Sequence, residues 1–96
     1  MATLHIEHPI SSLGVWFEAF NQFADARRQA GVTGERIHQP VDDEKYILVQ
    51  LDFDTVDAAE RFKSFLESVV WRSEDLSPAL AGTPRARVLL EAEANR

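Results

Sequence analysis

Apolar and polar side chains alternate along four segments of the chain, at positions 2–7, 33–40, 45–53 and 86–93. An alternation with a period of two places successive side chains on opposite faces of a β-strand, so each segment predicts a strand. Two further segments repeat their apolar residues at helical spacing, and each predicts a helix with one apolar stripe. The stripe residues are Leu13, Trp16, Phe17, Phe20, Phe23 and Ala24 in the first helix, and Ala59, Phe62, Leu66, Val69 and Val70 in the second.

Residues that favour turns and helix ends separate the first of these segments. Pro9 ends the first strand, and Ser11 or Ser12 is the expected N-cap of the first helix. Gly31 is the expected left-handed stop of that helix. The sequence PVDDEK at 40–45 predicts the turn of an antiparallel hairpin between the second and third strands.

The second half of the chain carries similar signals. Asp54 or Thr55 is the expected N-cap of the second helix, and Asp57 in its first turn suits the helix dipole. Residues 72–84 are rich in serine, proline and glycine, so we expect a loop there, with one helical turn near 76–80.

The predicted order is therefore strand, helix, strand, strand, helix, strand. Two helices that each carry one apolar stripe need a common surface to cover, and a four-stranded antiparallel sheet with both helices on one face supplies it. We expect an α+β fold of this split βαβ type. Ninety-six residues are enough for one modest core, so a single domain is expected to span 1–96.

The alternation also sorts the strand side chains between two faces of the sheet. If the aliphatic side chains face the helices, polar and ionisable groups share the opposite face. This polar face consists of Thr3, His5, Glu7, Gly34, Arg36, His38, Tyr46, Leu48, Gln50, Asp52, Arg87, Leu89 and Glu91. Three interpretations stay open: a solvated face, a contact between two copies of the chain, or a cavity in which ionisable groups orient a ligand. Leu48 and Leu89 lie in the middle of the set and count against a fully solvated face.

Charge and composition narrow the classes of function. The net charge of −6 counts against nucleic-acid binding, which relies on lysine and arginine at the phosphates. A solvated helix face is sufficient to explain the adjacent Arg27 and Arg28. The chain has no cysteine, which excludes disulfides, thiolate metal sites and cysteine nucleophiles. No apolar run approaches the roughly 20 residues of a membrane helix, and no secretory signal is visible, so we expect a cytoplasmic protein without membrane or nucleic-acid partners.

Four stretches of the sequence together resemble one family. They are TLHIEHP (3–9), LGVWFEAFNQF (13–23), GERIHQPVDDEKYILVQLDFDT (34–55) and DTVDAAERFKSFL (54–66). They are similar to the dimeric α+β barrel proteins, the ferredoxin-like superfamily that includes the antibiotic biosynthesis monooxygenases. The resemblance implies a homodimer whose two sheets pack into a barrel, with space for a substrate between sheet and helices.

The same resemblance bears on chemistry. Haem-degrading relatives use an asparagine on the first strand, together with tryptophan and histidine from elsewhere. Here the first strand offers His5 and Glu7, and the second helix contains no histidine, so haem degradation is not expected. Cofactor-free, quinone-forming monooxygenases of similar fold place tryptophan, asparagine and aromatic side chains near the substrate, and Trp16, Asn21 and Trp71 are of matching type.

The candidate site residues come from the polar face and from the two tryptophans. His5 or His38 is the candidate proton acceptor, since histidine titrates near neutral pH. The other candidates would bind, orient or stack on a substrate: Tyr46, Gln50, Arg36, Arg87, Trp16 and Trp71. His5 and His38 are expected two strand spacings apart, about 10 Å, which is too far to share a metal ion. His8 beside Pro9 is expected in a loop, and neither a metal nor a cofactor is expected.

These observations lead to two hypotheses of function. The first is a homodimer that binds a small aromatic or polyketide-like molecule and, if it is an enzyme, carries out cofactor-free oxygenation or isomerisation. The second is a non-catalytic module whose polar sheet face serves only to assemble the dimer. The sequence leaves open whether the protein is an enzyme.

Overall fold

The computed structural model describes residues 1–92, and a four-stranded antiparallel sheet with helices on one face forms its framework. The strands β1 (Ala2–Pro9), β2 (Val32–His38), β3 (Tyr46–Phe53) and β4 (Arg85–Leu90) lie in the order β2-β3-β1-β4. The helices are α1 (Leu13–Gln22), α2 (Ala24–Ala30) and α3 (Val56–Phe65), and a π-helical turn, Leu66–Val70, continues α3. The predicted α+β fold is confirmed. The predicted end of the last strand, residue 93, lies outside the described residues.

Burial along the strands follows the predicted alternation. In β1 the buried and the half-buried residues alternate without interruption from Ala2 to Pro9. The buried Leu4 and Ile6 belong to the same core cluster as Trp16 and Phe62 of the helices. The aliphatic face of the sheet therefore lies under the helices, and the polar face lies on the opposite side.

The first predicted helix is in fact two helices. The hydroxyl of the N-cap Ser12 begins α1 by accepting a hydrogen bond from the N–H of Val15 at 3.3 Å. Gly31, at a φ of 96°, ends α2 in the left-handed conformation expected of it. Between them, the N–H of Phe23 donates to the carbonyl of Phe20 at 3.2 Å, a turn one residue tighter than an α-helical turn. The apolar stripe does not reveal this break, because Phe23 keeps its place in the helical repeat.

The second predicted helix begins at the N-cap Thr55 and ends in the π-helical turn. There the N–H of Trp71 donates to the carbonyl of Leu66 at 2.8 Å, five residues earlier. One extra residue in a turn rotates the following residues by about 100° relative to an α-helix. A regular helix would hold Trp71 about 120° away from the apolar stripe, whereas the π-helical turn brings it back towards the core. Val69, which the pattern assigns to the stripe, is exposed.

The segment between the π-helical turn and β4 forms isolated turns and no continuous helix. Hydrogen bonds from Ser77 N–H to the Ser73 carbonyl and from Leu80 N–H to the Ser77 carbonyl shape it. Leu80 forms an isolated bridge with Ile10, which holds the segment against the end of β1. Within residues 1–92, none of the helices has the length and apolar character needed to cross a membrane.

Candidate functional site

Hydrogen bonds join polar side chains of β1, β2 and β3 into one continuous network on the polar face. The strand register makes this geometry available, because His5 lies opposite Gln50 and Gln50 lies opposite Arg36. The network runs through Tyr46, Glu7, His5, Gln50, Arg36, Asp52 and Thr3 in that order. The predicted grouping of these side chains is therefore correct, and they bind chiefly to one another.

Both ring nitrogens of His5 are occupied within this network. Nε2 lies 2.8 Å from Oε2 of Glu7, and Nδ1 lies 3.2 Å from Nε2 of Gln50. A neutral imidazole that donates from Nε2 and accepts at Nδ1 satisfies both contacts. The bond from His5, followed by the bond from the hydroxyl of Tyr46, lowers the pKa of Glu7. His5 therefore has no lone pair left with which to take a proton from a substrate while the network is intact.

A paired carboxylate forms the other end of the network. Arg36 donates from Nη1 and Nη2 to the two oxygens of Asp52, at 2.7 and 2.9 Å, and Thr3 donates to Oδ1 at 2.8 Å. The Arg36 bonds above all hold the pKa of Asp52 at about 2, although burial acts in the opposite direction. Since this pKa lies below its usual 3.8, the pairing stabilises the fold above pH 3.8 and its contribution is lost as the pH falls towards 2.

Gly34→Ala is expected to disturb this pair. A Cβ at position 34 would lie 2.8 Å from Oδ2 of Asp52, so the carboxylate would have to move away from Arg36. We expect the free energy of unfolding to fall by about 1–2 kcal/mol, as for a weakened hydrogen bond to a charged group. The pKa of Asp52 should rise from about 2 towards 3.8. Urea unfolding and carbon NMR of the carboxyl group measure these two effects.

Gly14→Ala is the matched control, because a Cβ there meets only Oγ of Ser12 at 3.9 Å. Alanine favours a helix more than glycine does, so this variant should be as stable as the parent or more so, with the Asp52 titration unchanged. An Asp52 pKa that stays at about 2 in Gly34→Ala would contradict the proposed close contact.

A cavity of about 90 Å³ lies on the other side of the sheet, between its aliphatic face and the helices. Its floor includes Ile6, Val49 and Leu51. Its aromatic walls are Trp16, Phe20, Phe23, Phe62 and Trp71. Trp16 and Phe20 stack with their ring centroids 4.7 Å apart. This helix-side cavity has the mainly apolar walls and the few polar groups that are typical of small-molecule sites.

His8 is one of those polar groups, and its expected place in a loop is wrong. It belongs to β1, pairs with Ile47 of β3 and faces the helices, because the alternation of Leu4 and Ile6 continues through it. Its side chain lines the helix-side cavity and packs edge-on against Trp71 at a centroid distance of 6.5 Å. Burial lowers the pKa of His8 below 6.5, although a hydrogen bond to the Pro9 carbonyl partly opposes this.

Arg27 is a second polar residue of the helix-side cavity, and a solvated helix face does not account for it. It is only 5% exposed, whereas its neighbour Arg28 is exposed and pairs with Asp25 at the surface. Arg27 donates from Nε to Glu35 and from Nη1 to the carbonyl of Phe20, which lies at the break between α1 and α2. Its guanidinium carbon also lies 3.6 Å from the centroid of the Phe20 ring.

The structure divides the predicted site residues between the two sides of the sheet. Trp16 and Trp71 line the helix-side cavity. The other six lie on the polar face: His5, His38, Tyr46, Gln50, Arg36 and Arg87. Of these, Arg36, His38 and Arg87 are exposed. Sequence reasoning missed His8 and Arg27, although His8 continues the buried alternation of β1 and Arg27 follows Phe20 and Phe23 at helical spacing.

Two other kinds of functional site, a second cleft and a metal cluster, are less well supported within residues 1–92. A more open cleft of about 310 Å³ lies between α2 and α3, next to Ala30, Arg61 and Phe65. It is larger than the helix-side cavity, but it lies at the surface and contains no buried polar group. No cluster of three or more His, Asp or Glu side chains suited to a metal ion occurs in this part of the chain.

No protein-family model matches the sequence. No curated protein matches it either.

Solved structures match the fold over nearly the whole chain. SnoaB, a cofactor-independent oxygenase from Streptomyces nogalater, has a TM-score of 0.69 at 14% identity, and the match covers 98% of this chain and 95% of SnoaB. A monooxygenase from the gene ActVA-Orf6 of Streptomyces coelicolor, solved in complex with Nanaomycin D, has a TM-score of 0.65 at 18% identity and coverages of 97% and 88%. A dimeric ferredoxin-like protein from an uncultured marine organism has a TM-score of 0.66 at 11% identity and covers 100% of both chains.

The expected resemblance to ferredoxin-like, antibiotic biosynthesis monooxygenase-like proteins is therefore confirmed as a likeness of fold. At these identities the comparisons establish the fold alone, and function has to be argued from the site.

Proposed function

We propose that this protein is a homodimer that binds a small aromatic molecule in the helix-side cavity and catalyses its cofactor-free oxygenation or isomerisation. The observation that carries the proposal is the cavity itself, in which aromatic walls surround a buried histidine. The cofactor-independent oxygenase SnoaB and the Nanaomycin D complex of the Streptomyces coelicolor monooxygenase have the same fold, which supports the choice of ligand class and reaction.

The two predicted tryptophans keep their proposed role at the substrate. Trp16 stacks on Phe20, and Trp71 is turned towards the helix-side cavity by the π-helical turn, so each offers an aromatic surface to a planar ligand. In an oxygenation of a reduced ring carbon, one atom of O₂ becomes a carbonyl oxygen, and the other leaves as water with the two hydrogens of that carbon. The protein then has to hold the ring, exclude bulk water and accept a proton.

The polar face is proposed to assemble the dimer. Its network satisfies most of its polar atoms within one chain, while Arg87 and Leu89 of β4 are exposed beside it. A second copy of the sheet would cover these side chains, and a solved protein of the same fold is dimeric. The candidate substrate roles of His5, His38, Tyr46, Gln50, Arg36 and Arg87 are therefore replaced in this proposal by a role in assembly.

The reaction is tested by oxygen uptake with hydroquinones and anthrones of one, two and three rings, in the presence of a metal chelator and without added flavin. We expect the protein to accelerate O₂ consumption and carbonyl formation at least tenfold over buffer for one member of the panel. If the aromatic compounds bind but O₂ consumption is not accelerated, the proposed oxygenation is contradicted, and isomerisation or binding alone is left.

The assembly half of the proposal is tested separately by native mass spectrometry. The double variant Arg87→Ala with Leu89→Ala should shift the mass from dimer to monomer, while Val41→Ala, a change at an exposed residue of the β2–β3 turn, should leave it unchanged. A double variant that keeps the dimer mass would show that the interface has been assigned to the wrong surface.

A further inference from the structure

The helix-side cavity contains a histidine whose ring is fixed in one orientation. His8 is 5% exposed, and its Nδ1 lies 2.9 Å from the carbonyl oxygen of Pro9. A carbonyl oxygen only accepts hydrogen bonds, so Nδ1 carries the proton and donates it. In the neutral ring, Nε2 is then left as an acceptor with a free lone pair.

Nε2 of His8 belongs to a side chain that lines the helix-side cavity. It has no hydrogen-bond partner among residues 1–92. Yet every side-chain nitrogen or oxygen that is sealed from solvent in that part of the chain has a partner. Nε2 is therefore not sealed in the packed core, and the helix-side cavity is a space that its residue lines. An accessible acceptor without a partner, on a residue that lines an apolar cavity, favours a ligand with a hydrogen-bond donor at that point.

Two other polar side chains of the helix-side cavity, Ser77 and Arg27, are already engaged. The hydroxyl of Ser77 donates to the carbonyl of Ser73 at 2.8 Å. Among residues 1–92, Arg27 is the only other titratable or charged residue in the lining, and Glu35 balances its charge. Because no unpaired charge remains in the lining, an uncharged ligand fits the cavity better than an anion or a cation.

The size of the cavity limits the ligand further. A dry cavity of about 150 Å³ holds one benzene ring. The helix-side cavity, at about 90 Å³, is smaller and open at one side. It therefore suits one aromatic ring, part of which lies in the opening, better than a fused system of three rings.

The geometry points to an uncharged, single-ring phenol as the ligand of this cavity, with its hydroxyl donating to Nε2 of His8 and its ring against the aromatic walls. This inference rests on the proposed function, since it uses the same cavity as the substrate site. It assigns His8 as a binding residue that selects hydroxylated rings over plain hydrocarbons. Burial keeps the ring neutral at pH 7 by lowering the pKa of His8, so the acceptor is available there.

The test compares 4-fluorophenol with 4-fluorotoluene, which has a methyl group in place of the hydroxyl, by fluorine NMR titration. The ratio of the two dissociation constants is measured in the parent and in His8→Leu. We expect the ratio to shift about tenfold against the phenol in His8→Leu, the effect of one buried hydrogen bond between neutral groups. Ser77→Ala is the matched control, because Ser77 also lines the cavity but its hydroxyl is engaged with Ser73. In Ser77→Ala the ratio of the two dissociation constants should stay within twofold of its value in the parent.

A measurement on the parent protein keeps the test valid if His8→Leu does not fold. The nitrogen NMR signal of His8 Nε2 should move when 4-fluorophenol is added and stay in place with 4-fluorotoluene. As the pH falls below the lowered pKa of His8, the imidazolium can no longer accept, so the preference for the phenol should disappear.

The outcomes separate this inference from the proposed function. If the ratio of the two dissociation constants is unchanged in His8→Leu, or if the Nε2 signal does not move when 4-fluorophenol is added, the role of His8 is wrong. The proposed binding of aromatic molecules would not be affected by either result. If neither fluorinated ring binds to the parent protein, and no ring of the larger panel binds either, the proposed function fails as well.

Discussion

Arg27→Leu is expected to lower the free energy of unfolding by about 3 kcal/mol, which is a large share of the stability of a domain of this size. The substitution removes the charged one of two donors to the carbonyl of Phe20, the other being the N–H of Phe23, and it removes the cation above the Phe20 ring. It also removes the partner of Glu35, but that side chain is 37% exposed and is rehydrated at little cost. Thermal unfolding followed by circular dichroism should show a fall in Tm of roughly 10–20 °C.

Arg28→Ala is the matched control for this prediction, since Arg28 is the next residue in the same helix. Its side chain is 74% exposed and its pair with Asp25 lies in solvent, so the loss should not exceed about 0.5 kcal/mol. Equal and small effects of the two substitutions would show that Arg27 does not close the break between α1 and α2.

Ala19→Phe is expected to weaken the binding of aromatic probes at least 30-fold without unfolding the protein. Ala19 lines the helix-side cavity from α1 and is only half-buried, so a phenyl group at this position enters the space that a ligand ring would take. Filling a cavity commonly stabilises a protein by about 0.5–2 kcal/mol, so the free energy of unfolding should stay equal or rise. Fluorine NMR titration with 4-fluorotoluene measures the binding, and urea unfolding measures the stability.

Asn21→Phe separates this effect from a general effect of an added aromatic ring. Asn21 is exposed on the same helix and does not line the helix-side cavity, so probe affinity should be unchanged. Parent-like affinity in Ala19→Phe would place the ligand elsewhere, and the proposed site would then be wrong.

Local sequence patterns predicted the elements and the two faces of the sheet because those features depend on near neighbours. The side chains of a strand alternate by backbone geometry alone, so the placement of His5, Gln50 and Asp52 on one face could be read from the sequence. The N-caps Ser12 and Thr55 and the left-handed Gly31 are equally local, since each is determined by a few adjacent residues.

The candidate site could be predicted only in part, because its residues depend on hydrogen bonds between distant segments. The helical pattern gave no sign that the chain would tighten at Phe23 and widen between Leu66 and Trp71. The first change leaves a carbonyl that the Arg27 side chain binds, and the second rotates Trp71 towards His8. In regular helices, Arg27 would not bind this carbonyl and Trp71 would not lie beside His8.

The sequence by itself determined that this protein would build an α+β sheet with an aliphatic face under helices and a polar face opposite. It could not determine which face would carry a cavity, since a cavity is the space left over after the sheet, the helices and the segment before β4 have packed together. Only the tertiary structure placed that space on the aliphatic side, beside His8, and joined seven side chains of the polar face in one hydrogen-bond network. The physical reason is that alternation is a property of one strand, whereas a void depends on how well the surfaces of several elements fit together.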